Sequence, residues 1–185
     1  MLVKHFISST LPKTRSFLLN NTKLSHLNYC EQSLKMSSQS GFTFKDIEGD
    51  LFSCPKDCSL AHCVAADMKM GAGIAVKFKQ MFGQVDQLKA QNQRAGGVAV
   101  LKDGDRYIYY LVSKNETYSK PTYQDLNYSL EAMRNHMREN KVSKLAMPRI
   151  GCGIDGLQWD KVSDLIKEVF KNENVEVTIY TFVPK

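Results

Sequence analysis

Residues 59–79 read SLAHCVAADMKMGAGIAVKFK, and the order of residue types in that stretch decides the fold. Leu60–Ala65 is a short apolar run of the buried-strand kind. Met70-Gly71-Ala72-Gly73-Ile74-Ala75 breaks the run with two glycines and leads directly into Gly73–Phe82, where apolar residues recur at helical spacing. A strand, a glycine loop and a helix in succession form the repeating unit of α/β sheets.

The rest of the chain alternates in the same way. Upstream, Phe42–Glu48 alternates apolar and polar residues as a strand does, closed by Gly49-Asp50. Downstream, Val85–Gln93 reads as a second helix, stopped by Gly96-Gly97. Val98–Leu101 and Tyr107–Val112 flank Lys102-Asp103-Gly104-Asp105, a hairpin signal through its Asp-Gly turn. Thr122–Asn140 is a long amphipathic helix that Thr122 can cap, with Leu126, Leu130, Met133 and Met137 on one face. Lys144–Met147 is a strand ending at Pro148. Trp159–Phe170 is a helix with Trp159, Val162, Leu165, Ile166 and Val169 inward, and Val175–Phe182 is the closing strand. This order predicts a three-layer α/β/α domain with a mixed central sheet over residues 41–185.

Residues 1–40 differ in kind: rich in Ser, Thr, Asn, Leu and Lys, and nearly free of acids. They fit an organelle transit peptide, a disordered leader, or sequence upstream of a start at Met36. The net charge of +6 sits mostly here, because Lys4, Lys13, Arg15, Lys23 and Lys35 face only Glu31, a local +4. The remaining +2 gives the folded part little field for a polyanion, which argues against a general nucleic-acid role. No run approaches the roughly 18 apolar residues of a membrane helix. The hydrophobic 43% and charged 24% fit a soluble globular domain, and five irregularly spaced cysteines fit a reducing compartment.

In open α/β sheets the ligand lies at the carboxyl ends of the strands, so the loops leaving strands carry the functional signal. Asp50 after the first strand either caps the next turn or presents a carboxylate to a ligand. The Gly71–Ala75 loop lets backbone N–H groups approach a phosphate at a helix N-terminus. It is not a Walker loop, and Val76 stands where a dinucleotide fingerprint has its third glycine. Pro148-Arg149-Ile150-Gly151-Cys152-Gly153-Ile154-Asp155 is a second glycine cradle with a carboxylate behind it. Two such loops on separate strands suggest two walls of a pyrophosphate cleft.

Other constellations are weaker. Cys54, Cys58, His62 and Cys63 cluster, but Cys-x3-Cys lacks a paired second half, and His62 and Cys63 would face opposite sides of a strand. Cys152 is a nucleophile candidate without an identifiable histidine base. Tyr107, Tyr109, Tyr110, Tyr118 and Tyr123 interleave with Lys102, Arg106, Lys114 and Lys120; core packing explains them more economically than a base-stacking surface.

The segments GDLFSCP, SLAHCVAADMKMGAGIAVKFK, YIYYLVSK, KPTY, MPRIGCGIDGLQW and VTIYTF, in this order over residues 42–182, resemble the macrodomain family. The match is to its terminal ADP-ribose protein glycohydrolase (O-acetyl-ADP-ribose deacetylase) branch. The resemblance implies that Asp50 and Leu51 meet the adenine, with Phe182 bordering it. It implies that Gly71, Ala72, Gly73, Ile74 and Ala75 run along the distal ribose and phosphates. Arg149, Ile150, Gly151, Cys152, Gly153, Ile154 and Asp155 would wrap the pyrophosphate and distal ribose. Lys114 would be the nucleophile and Asp155 the general acid/base.

The implied reaction removes ADP-ribose from glutamate or aspartate side chains, and deacylates O-acyl-ADP-ribose, through a lysyl-ADP-ribose intermediate. Lysine attacks only when unprotonated, so this chemistry asks for a site that lowers the Lys114 pKa. The choice of Lys114 among the lysines rests on the resemblance. A non-catalytic ADP-ribose reader is the alternative; binding needs Asp50 and the glycine loops, and turnover also needs Lys114 and Asp155. The resemblance further implies no metal or cofactor, and a monomer that binds ADP-ribose, ADP-ribosylated proteins and, as a further candidate, poly(ADP-ribose). It points to the nucleus (nucleoplasm or nucleolus) and the DNA damage response. The leader leaves mitochondria as the alternative address.

Overall fold

The computed structural model of the protein describes residues 41–183. The expectations for residues 1–40 lie outside the described residues. The elements run β1 (Thr43–Glu48), β2 (Ser59–Ala65), α1 (Ile74–Phe82), α2 (Val85–Ala90), β3 (Val98–Asp103), β4 (Arg106–Lys114), α3 (Tyr123–Glu139), β5 (Lys144–Pro148), α4 (Trp159–Phe170) and β6 (Glu176–Thr181). They form one six-stranded sheet in the order β1-β6-β5-β2-β4-β3. All neighbours are parallel except β3, which joins β4 as an antiparallel hairpin. The sheet is therefore mixed, as the element order predicts.

Strand periodicity divides the core into two layers. On β4, Tyr109 and Leu111 join one buried cluster, while Ile108, Tyr110 and Val112 join the other. The first cluster lies under α3 and α4, and the apolar stripe Leu126, Leu130, Met133 and Met137 is buried as its spacing requires. The second lies under α1 and α2, anchored by Phe78 and Leu88. Trp159 and Leu165 are only partly buried at the rim, where the Arg149 guanidinium stands 5.2 Å from the Trp159 ring. Thr122 caps α3 as expected, its hydroxyl accepting from Asp125 N–H at 3.0 Å.

The structure departs from sequence expectation at α2, which stops at Ala90 rather than Gln93. The Gln91 side chain explains this. Its amide donates to Val100 O and accepts from Val100 N–H, both at 2.9 Å, so it covers part of the open edge of β3 as a neighbouring strand would. Tyr109 and Tyr110 are fully buried on opposite faces, while Tyr118 is 92% exposed, so the tyrosines make no continuous stacking surface. Among the described residues no helix is long and apolar enough to cross a membrane.

Because β1, β6, β5, β2 and β4 are mutually parallel, their carboxyl ends share one edge of the sheet. The loops beginning at Gly49, Phe182, Arg149, Ala66 and Asn115 all leave from that edge.

Candidate active site

A cleft of ≈ 670 Å³ opens along that edge. Its lining includes Asp50, Leu51, Gly71, Ala72, Gly73, Ile74, Ala75, Lys114, Arg149, Ile150, Gly151, Gly153, Ile154, Asp155 and Phe182. Every residue expected to bind or react is thus brought together, with the exception of Cys152. That thiol turns toward the core beneath α3 and α4 and donates to Ile150 O at 3.3 Å. Burial raises its pKa, against the pull of Arg149, which leaves the nucleophile reading of Cys152 without support.

Lys114 reaches the cleft because β4 is irregular. Val64 pairs with Val112, but Ala65 pairs with Lys114, so Ser113 is an extra residue in the ladder. A bulge of this kind re-aims the side chain after it. Asp155 arrives from the loop after β5. That loop doubles back through Gly151 at φ 70°, with Leu157 N–H donating to Gly151 O at 2.8 Å. A Cβ on Gly151 would also lie 2.8 Å from Leu157 Cδ1, so both conformation and space require glycine there. The result is a contact of 2.7 Å between Lys114 Nζ and Asp155 Oδ1, with side chains 13% and 17% exposed. At that distance a carboxylate can take a proton from an amine, which is the arrangement an amine nucleophile needs.

The glycines facing the cleft divide by cause. Gly73 holds φ 60°, and its missing Cβ would come within 3.5 Å of Ile154 Cδ1. Gly71 and Gly153 are different: a Cβ on either would meet nothing within 4 Å. The chain itself gives no steric reason for glycine at these two positions, and both line the cleft.

Asp50 is a cap that also lines the cleft. It caps the 3₁₀ turn Leu51–Ser53, accepting Phe52 N–H at 3.0 Å, and it faces the cleft. That backbone bond, reinforced by Lys77 Nζ at 3.0 Å, lowers its pKa. Lys77 also stands 4.3 Å from the Phe52 ring. Phe182, 73% exposed, closes the same end.

Residues that sequence reading did not single out include Asp67 and Thr117, which also line the cleft. The Thr117 hydroxyl lies 2.9 and 2.7 Å from the two Asp67 oxygens, Thr117 N–H donates at 3.1 Å, and Lys69 N–H donates at 3.2 Å. One carboxylate therefore ties the glycine loop to the segment after Lys114. Burial opposes its ionisation, but these donors prevail and draw the Asp67 pKa down to about 2. The same loop holds two non-glycine residues, Met68 (φ 49°) and Met70 (φ 46°), in the left-handed region, a costly state that the tie helps maintain.

His62 and Cys63 face opposite sides of β2, as their adjacency predicts. His62 stacks on Phe78 at 3.8 Å with neither ring nitrogen hydrogen-bonded, and burial pushes its pKa down to about 3. Cys63 lines the cleft, where burial and the Asp155 charge push its thiol up to about 12. Among the described residues no group of three or more His, Cys, Asp or Glu side chains is placed to hold a metal ion.

Comparison with known proteins agrees with this geometry. The Macro domain family pattern matches residues 61–166. ADP-ribose glycohydrolase OARD1 of Homo sapiens is 55% identical over 135 residues, covering 73% of this chain and 89% of the relative. The protein of the same name from Bos taurus is 53% identical over 135 residues, covering 73% of this chain and 89% of the relative. Among solved structures, the macrodomain of Thermus aquaticus DarG superposes with a TM-score of 0.68 at 25% identity, covering 75% of this chain and 98% of that one. A pattern match over more than half of the sequence, a relative this similar over nearly its whole length and a shared fold lead to one conclusion: the chain belongs to the macrodomain family.

Proposed function

We propose that the protein is an ADP-ribose glycohydrolase, as its curated relatives are named. It binds ADP-ribose in the cleft, releases it from glutamate and aspartate side chains, and deacylates O-acyl-ADP-ribose. The observation that carries this reading is the 2.7 Å pairing of Lys114 Nζ with Asp155 Oδ1 inside the cleft. A reader needs the cradles and Asp50; it has no use for a nucleophile and base held in contact.

The chemistry runs in two steps. Asp155 takes a proton from the Lys114 ammonium, and the amine attacks the anomeric carbon of the distal ribose. The new C–N bond forms as the ester C–O bond breaks, and the carboxylate leaves with its electron pair. Asp155 then releases the proton it took to solvent; water adds to the same carbon as the C–N bond breaks, and Asp155 passes one water proton to the departing lysine nitrogen, which restores the ion pair. At the other end the Asp50 carboxylate accepts from the adenine amino group, and the unpaired faces of Gly71 and Gly153 leave room for phosphate oxygens near backbone N–H groups.

Lys114→Ala keeps the cradles and removes the amine, so ADP-ribose binding survives while hydrolysis of a glutamate-ADP-ribose ester falls by at least about 10³-fold. Asp155→Ala slows turnover and lets a lysyl adduct accumulate, read as a mass increment on the intact protein. Wild-type hydrolysis by Lys114→Ala would overturn the mechanism. The reading further takes the protein as a monomer located in the nucleus, with poly(ADP-ribose) as a further candidate ligand. A fluorescent fusion of the full chain that collects in mitochondria would refute the nuclear assignment in favour of a transit leader.

A further inference from the structure

The turn behind Asp50 holds two free thiols that the proposed hydrolysis does not use, Cys54 and Cys58. Local backbone bonds fix their relation. Cys54 N–H donates to Leu51 O at 3.2 Å and so closes the 3₁₀ turn that Asp50 caps. Cys58 N–H donates to Pro55 O at 3.0 Å, so the chain reverses between the two residues. Both side chains enter one apolar cluster, 7% and 6% exposed, where the Cys58 thiol donates to Ser59 O at 3.7 Å. A third ligand to make a metal site of the pair is absent among the described residues.

We propose that Cys54 and Cys58 are a redox-modifiable dithiol, oxidised by small peroxides to an intramolecular disulfide that weakens ligand binding at the Asp50 end of the cleft. The polarity of the pair favours this course. The neighbouring Cys58 thiol, working against burial and aided by the Arg106 guanidinium, draws the Cys54 pKa down to about 7. Cys58 is held protonated by the same contact and by burial. Cys54 thiolate therefore attacks a peroxide oxygen, the O–O bond breaks, and Cys54 becomes a sulfenic acid as hydroxide leaves. The Cys58 sulfur then attacks Cys54, the S–S bond forms, and the sulfenic oxygen departs as water with the Cys58 proton. Two electrons from the sulfurs have reduced one peroxide.

The closure acts on the cleft because an S–S bond of about 2.05 Å is far shorter than any non-bonded approach of two sulfurs. The slack must come from the turn between the two residues and from the Cys54–Leu51 bond. Leu51 and Phe52 line the cleft next to Asp50, so that wall shifts. This second half of the proposal rests on the ADP-ribose reading of the cleft; the disulfide itself does not.

Trypsin cuts after Lys56, between the two cysteines, which makes the test direct. The full chain is treated with hydrogen peroxide, its remaining thiols are alkylated, and the digest is mapped by mass spectrometry. The expected product joins peptide 46–56 to peptide 57–69, with Cys63 alkylated, and dithiothreitol separates them. A link between 57–69 and 150–161, which would be Cys63 to Cys152, or no link at all, would overturn the proposal. Calorimetry on the same samples should show ADP-ribose affinity reduced several-fold by oxidation and restored by dithiothreitol, with Cys58→Ser unresponsive. Unchanged affinity in the linked protein refutes the effect on the cleft. Failure of the reduced protein to bind ADP-ribose refutes the function instead, and leaves the peptide link to be judged separately.

Discussion

Alanine at Gly153 and alanine at Gly151 should have opposite effects, although the two residues are neighbours in one loop. A Cβ at Gly153 meets nothing within 4 Å, and the residue lies outside the left-handed region. Replacing it removes a flexible glycine from the unfolded chain, which stabilises a protein by about 0.4–1 kcal/mol. The added methyl then occupies the space where a phosphate oxygen would approach a backbone N–H. Losing one charge-assisted hydrogen bond costs about 1.5–3 kcal/mol, or roughly 10–100-fold in dissociation constant. Gly151 is the reverse: φ is 70° and the new Cβ would lie 2.8 Å from Leu157 Cδ1. The left-handed conformation costs an alanine about 1–2 kcal/mol and the overpacking about 1–3 kcal/mol. Thermal unfolding and calorimetric titration with ADP-ribose separate the two. Gly153→Ala should melt at or slightly above the wild-type temperature and bind at least about tenfold more weakly. Gly151→Ala should melt about 5–15 °C lower. If Gly153→Ala binds ADP-ribose as the wild type does, the loop after β5 does not cradle the phosphates.

Two further outcomes concern acid stability. The Asp67 pKa is depressed from 3.8 to about 2, so its contribution is fully present above pH 3.8 and disappears as pH falls toward 2. Asp67→Asn should therefore lower the unfolding free energy by about 1–2 kcal/mol near neutrality, with the difference from wild type vanishing near pH 2; a constant difference across pH would remove the charge from the explanation. His62 shifts from 6.5 to about 3 by burial, so the unfolded chain binds a proton that the folded chain refuses. Stability is complete above pH 6.5 and declines as pH falls below it, and His62→Leu should flatten that limb in a denaturant series measured from pH 7 to pH 4.

Most of the scaffold is legible because periodicity reports it directly. The stripe Leu126, Leu130, Met133 and Met137 places a face, the β-rich run Tyr107–Val112 marks a strand, and the glycine loops mark where strands end. The misjudged end of α2 shows where that logic stops. Gln91 continues the helical pattern, yet its side chain is bound to Val100 across the hairpin, a contact no local window contains. The Asp67–Thr117 tie spans 50 residues and the Lys77–Asp50 pair 27, and each depends on strand register before it depends on residue type.

Lys114 is the clearest case of that dependence. Nothing about a lysine at the end of an apolar strand separates it from a solvated one. The distinction arises when β2 and β4 fall out of register between Val64 and Ala65, leaving Ser113 as the extra residue and Lys114 opposite Ala65. Asp155 comes within reach only because the loop after β5 turns back on itself at Gly151, again in response to packing against Leu157. The two groups are 41 residues apart and meet at 2.7 Å through two independent irregularities, one in a ladder and one in a loop. Regular elements bury the core, and the departures from regularity bring Lys114 and Asp155 together. A residue-type pattern can locate such departures only as glycines and interrupted alternation. Deciding which lysine and which carboxylate they join requires the register of the sheet.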